Sequence, residues 1–458
     1  MTRWSVVAAG VLLGLAYTLS SLTIVFAILL APLFWWAGRG LGQNERRWVF
    51  GVLAGAIVLR VAAIGVLLLL SDPVHQPFNA YFPDARFVIA RSWWIRNIWL
   101  DVPIGPLYYI GTYNPYGASS FSYVLGAIQL IVGRSPYGLN FISVMAFLVA
   151  AIALYRMVRA SYGPTAAFVG FAILAFWPTT FAWSVSALKE SMQFALTAVL
   201  FVCAVRAARS DAWRARAVAL VAALAAVYAI GTLRSGAMAI VVIGVAAGVA
   251  GRVLTVRRSV AIASALGLIV ATAAFLSRPA IQGQMLDIVR VAAKRQLGNV
   301  ETTGYGYKVL DQRFYSGGMD VIDSMTADEA GRFIVRAVLA FFLVPMPWQI
   351  VSRSGLAFLP QQLVWYLLAA LGAPGILAGW RRDPLVTWMF VAYIGAGVAV
   401  IAPNSGNVGT LVRHRDTIVL GLVWLSAAGL VSALARARPR PARVVLDEFT
   451  RQFSVRAS

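Results

Sequence analysis

The chain has 458 residues, of which 60% are hydrophobic and only 12% are charged. Soluble globular proteins carry about 25% charged residues, so an ordinary soluble domain is excluded. The formal net charge is +22. Because the cations lie in short segments beside apolar runs, they indicate membrane topology and anionic headgroups rather than nucleic-acid binding. Cys203 is the one cysteine, which excludes disulfides within the chain and a multi-cysteine metal site.

Long apolar runs dominate the chain. About 20 apolar residues in a helix cross a hydrocarbon core about 30 Å thick. Only the bilayer accommodates so much apolar surface, so we predict an all-α, polytopic transmembrane helix bundle of about ten to twelve spans. The clearest runs are 49–71, 186–207, 259–276, 384–402 and 418–435. The first stretch, 5–38, is too long for a signal peptide, and is either one long tilted helix or a hairpin broken near Ser20 and Ser21.

Short basic segments predict the topology, because loops rich in Lys and Arg face the cytoplasm. These segments are Arg39/Arg46/Arg47, Arg206/Arg209/Arg214/Arg216, Arg252/Arg257/Arg258, Arg381/Arg382 and the tail Arg436/Arg438/Arg440/Arg443. Residues 1–435 are then a membrane-embedded domain with external loops 72–118, 277–331 and 403–417 and a shorter external connector, 231–235. Residues 436–458 form a short basic cytoplasmic tail. We expect a multi-pass protein of a bacterial plasma membrane, because arginine is strongly preferred over lysine, as in GC-rich bacterial genomes.

Two segments do not fit a simple zigzag through the membrane. Residues 119–133 and 332–347 each offer only about 15 apolar positions, short for a span. They are either re-entrant, or one of the basic loops faces outward. Residues 164–205 are interpreted as two segments joined at Pro178.

The first external loop carries the first candidate for chemistry. Its segment ARFVIARSWWIRNIWL, residues 85–100, places arginine and tryptophan at helical spacing, which favours a helix in the headgroup layer. Asp84 stands immediately before it and points to a general base at the membrane surface. The alternative is that the Asp84 carboxylate caps the start of this helix.

Ionisable groups in or beside a span are costly and therefore indicate function. Lys189 and Glu190 lie at the entry to the span 186–207, either as a phosphate site or as a salt-bridged helix start. Arg413 and Arg415 precede the last span, where guanidinium groups match phosphate oxygens or meet Asp416 and lipid headgroups. Arg234, in the turn GTLRSG, is a weaker phosphate candidate.

Two further features have a structural reading. Arg60 lies in the middle of a span, where it requires a partner in the bundle. The loop 277–331 is interpreted as a partly ordered external loop, with closure over an acceptor as the alternative.

The order of the features resembles a known superfamily. A span leads into YFPDARFVIARSWW, then YYIGTYNPYGASSFSYVLGAIQLIVG, SPYGLNFISVMAFLVAAIALYRMVRASYG and a run ending in AFWPTTFAWSVSALKES. This order resembles the GT-C superfamily of polyprenyl-phosphate-sugar-dependent glycosyltransferases, which includes the protein O-mannosyltransferases and the aminoarabinose lipid A transferase. The resemblance covers about residues 50–207, with a looser similarity at 341–382 and 403–420.

The resemblance implies a sugar donor on an isoprenoid phosphate, bound by basic residues at the outer face, and an acid in the first external loop. In family members this acid acts as a base or positions the acceptor, and it matches Asp84, which we expect to be the general base. The donor phosphate ligands match Lys189, Arg413 and Arg415 by position and charge. Arg234 is a further expected phosphate ligand, and Arg86 and Glu190 are expected to be supporting residues. Many members carry two adjacent acids in this loop, whereas here Ala85 follows Asp84. That departure puts a metal-dependent subtype in doubt.

The sequence thus predicts an inverting membrane glycosyltransferase acting on a cell-envelope acceptor at the outer face. An O-antigen-type polysaccharide polymerase or ligase is the second hypothesis, and a transporter is the third. The expected partners are membrane lipids, the polyprenyl-phosphate sugar and a glycan, lipid or protein acceptor, with no nucleic acid. No cofactor is expected and no metal ligands are identified, while metal dependence, the sugar, the acceptor and the oligomeric state stay open.

Overall fold

The chain is described here by a computed structural model of residues 20–71, 82–114, 119–254, 277–302, 305–350 and 353–437, with Gly267 and Ala274. Within these residues it forms seventeen α-helices and three short 3-10 helices, which confirms the predicted all-α helix bundle. Nine of these helices are long and apolar enough to cross a membrane, or ten if one bent pair counts as a span. The run 259–276, apart from Gly267 and Ala274, and the tail from residue 438 lie outside the described residues.

The helices follow one another with short connections. In the first half they are α1 (Ser21–Gly38), α2 (Gln43–Leu69), α3 (Pro83–Trp99), α4 (Pro106–Tyr113), α5 (Ser120–Val132), α6 (Leu139–Tyr162), α7 (Pro164–Phe176), α8 (Pro178–Ser184) and α9 (Lys189–Arg209). In the second half they are α10 (Trp213–Leu233), α11 (Ser235–Leu254), α12 (Pro279–Val300), α13 (Gln312–Val321), α14 (Ala327–Leu343), α15 (Arg353–Arg382), α16 (Pro384–Ile401) and α17 (Val408–Ala437).

Proline and glycine define many of the helix ends. Six helices begin with proline at the first helical position, where the missing N–H is not needed: α3, α4, α7, α8, α12 and α16. Gly163 joins α6 to α7 with φ +91°, a conformation that side chains disfavour. Ser20 is the N-cap of α1 and its backbone is extended, with φ −173° and ψ 128°. One unbroken helix over residues 5–38 is therefore excluded.

The described parts of four predicted basic segments, 39–47, 206–216, residue 252 and 381–382, lie at one end of the bundle, which we call the basic end, while Arg257, Arg258 and the tail from 438 lie outside the described residues. Arg156 donates to the carbonyl of Arg39 at 2.8 Å, and Arg252 donates to the carbonyl of Ala208 at 2.9 Å. Arg209 pairs with Asp383 across two connections. These contacts join the α1–α2, α6–α7, α9–α10 and α15–α16 connections and the end of α11.

The opposite end, called the site end, carries α3 to α5 and the starts of α9, α11 and α17. The short segments that broke the zigzag are explained there: α5 has 13 residues and α14 has 17, and neither is among the spanning helices. Helices α7 and α8 are the bent pair, with an angle of 60° between them at Trp177. The predicted join at Pro178 is the first residue of α8.

The predicted loop 277–331 is largely helical, and it packs on α14 and on residues 402–404. Its residues 305–307 also pair with the segment that precedes α17, through Tyr307 N to the Gly406 carbonyl and Val408 N to the Tyr305 carbonyl, both 2.9 Å. This cap, residues 279–324, is therefore tied directly to the start of the last span.

Candidate functional site

Asp84 is the second residue of α3, which begins at Pro83 after the N-cap Phe82. Its carboxylate makes no capping hydrogen bond, so the alternative role as a helix cap finds no support. The side chain is 59% exposed, and Oδ2 accepts a hydrogen bond from Arg413 Nη1 at 2.5 Å. Oδ1 accepts no hydrogen bond from the described part of the chain. One carboxylate oxygen is thus held and the other is open.

Arg413 bridges two acids from distant parts of the sequence. Its Nη2 and Nε donate to Glu190 Oε1 at 2.7 and 3.2 Å, while Nη1 reaches Asp84. It lies in the second turn of α17 rather than in a loop, because the helix already begins at Val408. The start of the last span therefore brings this guanidinium to the first turn of α3 and the first turn of α9.

Glu190 lies in the first turn of α9 and is buried, with 9% of its surface exposed. Arg234, the residue between α10 and α11, places its Nη2 3.8 Å from Glu190 Oε1. Glu190 Oε2 has no hydrogen-bond partner within the described residues. Two guanidinium groups thus lie against one buried carboxylate and compensate for the loss of water around it.

Lys189 precedes Glu190 and lies within electrostatic range of Asp84, Arg234 and Arg413. Its ammonium makes no hydrogen bond or ion pair with the described residues. With three cations and two carboxylates, the cluster of Asp84, Lys189, Glu190, Arg234 and Arg413 has a formal excess of one positive charge. Such a cluster attracts an anion.

A third carboxylate, Asp416, lies next to the cluster in the bundle interior and supports it. It is buried and accepts hydrogen bonds from Trp177 Nε1 at 3.0 Å, Thr179 Oγ1 at 2.5 Å and Trp183 Nε1 at 2.8 Å. Trp183 in turn places its ring 4.9 Å from the Arg413 guanidinium. Asp416 therefore fixes the indole on which Arg413 lies.

The structure does not bring Arg415 to this cluster. Arg415 is buried, with 3% of its surface exposed. It donates hydrogen bonds to the carbonyls of Ala340 and Val344 at the end of α14, and to Gln362 Oε1 at 3.1 Å. Its guanidinium also lies 4.9 Å from the Trp365 ring. A cation at a helix C-terminus interacts favourably with the carbonyls there, so these contacts make Arg415 a structural residue.

The arginines of α3 also separate by role. Arg91 donates to the carbonyls of Thr112 and Asn114 at the end of α4, and Arg96 donates to the carbonyl of Gln129 in the last turn of α5. Arg86 is exposed and lines a 660 Å³ cavity between α3 and α4 with Phe87, Ala90, Trp93, Trp94 and Tyr108 among its neighbours. Only Arg86 remains as a candidate for contact with substrate near Asp84.

Arg60 has partners in the bundle, as its position requires, although its Nη2 makes no hydrogen bond with the described residues. Its Nε donates to Ser184 Oγ at 2.8 Å, and its guanidinium lies 4.3 Å from the Phe147 ring and 5.1 Å from the Phe181 ring. It therefore ties α2 to α6 and α8 at the base of the site.

Comparisons with known proteins bring no relative: no family model, no curated protein and no solved structure matches this chain. Among the described residues there is also no group of three or more His, Cys, Asp or Glu side chains able to hold a metal ion. The case for a function therefore rests on the cluster itself.

Sequence reasoning missed the support beneath the cluster. Trp177, Thr179 and Trp183 fall in one short segment, AFWPTTFAWS, which supplies all three donors to Asp416 within seven residues. A buried Asp416 requires donors of this kind. This requirement predicts that donors surround Asp416, although it does not say which segment supplies them.

Proposed function

We propose that this protein is a membrane glycosyltransferase that transfers a sugar from a polyprenyl-phosphate donor to a cell-envelope acceptor, with inversion at the anomeric carbon. The observation that carries the proposal is the contact between the exposed carboxylate of Asp84 and Arg413, within a cluster of net positive charge at one end of a membrane helix bundle. In this cluster a carboxylate that can take a proton from the acceptor lies beside cations that can bind the phosphate of a lipid donor.

In the proposed reaction Asp84 Oδ1 takes the proton of an acceptor hydroxyl as that oxygen attacks the anomeric carbon. The new bond to the acceptor oxygen forms as the bond from the anomeric carbon to the phosphate oxygen breaks. The electron pair leaves with the phosphate, whose added negative charge Lys189 and Arg234 stabilise. A single displacement of this kind inverts the sugar.

Arg413 has a separate task in this scheme. It holds Asp84 Oδ2 through the hydrogen bond from Nη1, which orients the carboxylate and leaves Oδ1 open to an acceptor hydroxyl. Because Glu190 anchors two nitrogens of the same guanidinium, the position of Arg413 is fixed before substrate arrives. Glu190 is therefore a positioning residue.

The proposed setting is a bacterial plasma membrane with the site end on the extracytoplasmic side. The collection of basic loops at the opposite end supports this orientation, since such loops stay in the cytoplasm. A lipid-linked donor also requires its phosphate at headgroup level, and the cluster lies at helix ends rather than at the centre of the spans. This placement favours a transferase over a transporter, whose sites lie near the midplane.

The test is Asp84→Asn in purified protein supplied with a panel of polyprenyl-phosphate sugars and envelope acceptors. We expect transfer to fall at least about 100-fold, the usual contribution of a general base. Asp101→Asn is the matched control, because Asp101 is an exposed acid in the same loop and its φ of 53° suits asparagine. Full activity of Asp84→Asn would remove Asp84 as the base.

A polysaccharide polymerase or ligase is the competing proposal, and a deletion strain separates the two. Loss of one sugar decoration with normal glycan length supports the transferase. Shortened or unattached glycan chains support the polymerase or ligase.

A further inference from the structure

Helix α4 presents an uncharged, exposed face at the site end. Leu107 is 81% exposed and Ile110 is 65% exposed, and Tyr109 and Tyr113 are half exposed beside them. The whole helix, PLYYIGTY, contains no charged residue. Its opposite face is packed, since the Tyr108 ring stacks on Trp94 with 5.0 Å between centroids. Thr112 is buried, while Tyr108 is still half exposed, so this ordered helix is packed along only part of its surface.

The exposed face continues onto α5. The rings of Tyr109 and Tyr113 are 5.1 Å apart, and Tyr123 of α5 lies 6.3 Å from Trp99 at the end of α3. The Tyr113 hydroxyl lies within electrostatic range of both the Tyr109 and the Tyr123 hydroxyls, which links the exposed faces of α4 and α5. We call this continuous area the α4–α5 surface: Leu107, Tyr109, Ile110, Tyr113, Tyr123 and Val124.

The α4–α5 surface adjoins a face of the bundle that lies against lipid. Ser120 Oγ, at the start of α5, accepts a hydrogen bond from Thr232 Oγ1 near the end of α10 at 2.9 Å. Helix α10 is long and apolar enough to span the membrane, and its Leu224 and Tyr228 are 70% and 76% exposed. The same bilayer that covers these two side chains reaches the start of α5.

We propose that the α4–α5 surface is immersed in the interfacial layer of the bilayer, so that α4 and α5, rather than α3, anchor the first loop in the membrane. Tyrosine mixed with aliphatic side chains is the composition that the membrane–water interface selects. The surface carries no charged residue, so nothing on it is costly to bring into the interfacial layer. Two of the three arginines of α3 are occupied with carbonyls of α4 and α5, so they do not reach for headgroups.

This anchor fixes the position of Asp84 relative to the membrane surface. Arg91 joins α3 to the end of α4, and Arg96 joins α3 to the end of α5, so the three helices move as one body. The Asp84 carboxylate is then held at one depth, whatever the function of the protein. The 660 Å³ cavity between α3 and α4 opens at the same level.

Spin labelling in lipid nanodiscs of phosphatidylcholine and phosphatidylglycerol tests the proposal. Leu107→Cys and Ile110→Cys are labelled in a Cys203→Ser background, with Leu224→Cys as the spanning control and Asp328→Cys as the exposed polar control. We expect the labels at 107 and 110 to be several-fold less accessible to the water-soluble relaxant NiEDDA than the label at 328, and to be accessible to oxygen like the label at 224.

Two outcomes overturn the proposal. NiEDDA access at 107 and 110 equal to that at 328 means that the surface faces water. Protection from both NiEDDA and oxygen means that a protein, such as a second copy of this chain, covers it. Leu107→p-benzoylphenylalanine, which keeps Cys203, gives an independent reading: photocrosslinks to phospholipid support the bilayer, and crosslinks to protein contradict it.

Discussion

Asp84 and Arg413 lie 329 positions apart in the sequence, yet their side chains meet at 2.5 Å. The contact joins the first turn of α3 to the second turn of α17, the last span. Because the same guanidinium also binds Glu190 at the start of α9, three distant segments converge on one group. The first external loop is thereby fixed to the bundle at the point where the proposed base lies.

Arg413→Gln is predicted to cost more stability than Asp84→Asn. Asp84 is mostly exposed, so water replaces its lost partner, whereas the buried Glu190 is left with Arg234 alone at 3.8 Å. We expect Arg413→Gln to lower the free energy of unfolding in detergent by about 1–3 kcal/mol. The double variant Arg413→Gln/Glu190→Gln should recover part of that loss, because it removes the stranded charge. Strictly additive effects of the two substitutions would contradict the coupling.

Arg415 is predicted to affect stability without affecting chemistry. Lysine cannot reproduce the fork that binds Gln362 and two carbonyls at once, so Arg415→Lys should lower the melting temperature. Sugar transfer by the folded fraction should remain, since Arg415 makes no contact with the cluster. Arg413→Lys is the paired comparison and should lower transfer. Equal loss of transfer in both variants would place Arg415 back among the phosphate ligands.

The difference between these two arginines illustrates what sequence alone predicts. Hydropathy and basic segments predicted the spans and the basic end, because both depend on local composition. The start of α17 at Val408 was not predicted, since 403–417 was interpreted as a loop. On a helix, two residues apart means a rotation of about 200°, so Arg413 and Arg415 point to opposite faces. Asp84 was found from its loop, but its partner depends on packing between helices.

Acidification is predicted to loosen the cap. Arg313 donates to both carboxylate oxygens of Glu329 at 2.6 Å, which lowers the pKa of Glu329 from 4.5 to about 2, with Thr326 N contributing. Because the pKa of Glu329 is lower in the folded protein than in the unfolded chain, its ion pair stabilises the folded protein fully above the ordinary pKa. This stabilisation is lost as the pH falls towards 2. Asp311, whose pKa Arg332 and Arg336 lower, acts in the same direction.

Pepsin digestion measures this dependence, because the protease works in the required pH range. At pH 4 to 5, Glu329→Gln should be cut faster than the unaltered protein near α13 and the start of α14. The difference should disappear as the pH approaches 2, where the carboxylate of the unaltered protein is protonated as well. Comparing the two proteins at each pH removes the effect of pH on pepsin. A constant ratio from pH 5 to pH 2 would exclude the ion pair as the cause.

Close contact between α15 and α17 is predicted to depend on Gly375. A Cβ atom at this position would lie 1.9 Å from the carbonyl oxygen of Leu425, and one at Gly429 would lie 2.3 Å from that of Leu371. Small residues allow such an approach between membrane helices. Gly375→Ala must push the two helices apart, and overpacking of this kind costs about 1–3 kcal/mol.

Gly395→Ala is the matched control for Gly375→Ala. Gly395 lies within a spanning helix, α16, and a Cβ atom there meets nothing within 4 Å. Alanine at an open helical position should stabilise the protein by about 0.5–1 kcal/mol, so the two variants are expected to shift the melting temperature in opposite directions. Because α17 carries Arg413, Gly375→Ala should also weaken the contact with Asp84 and lower sugar transfer, while Gly395→Ala should preserve it. Equal melting temperatures would mean that α15 and α17 lie farther apart than described. The position of Arg413 would then not depend on the contact at Gly375.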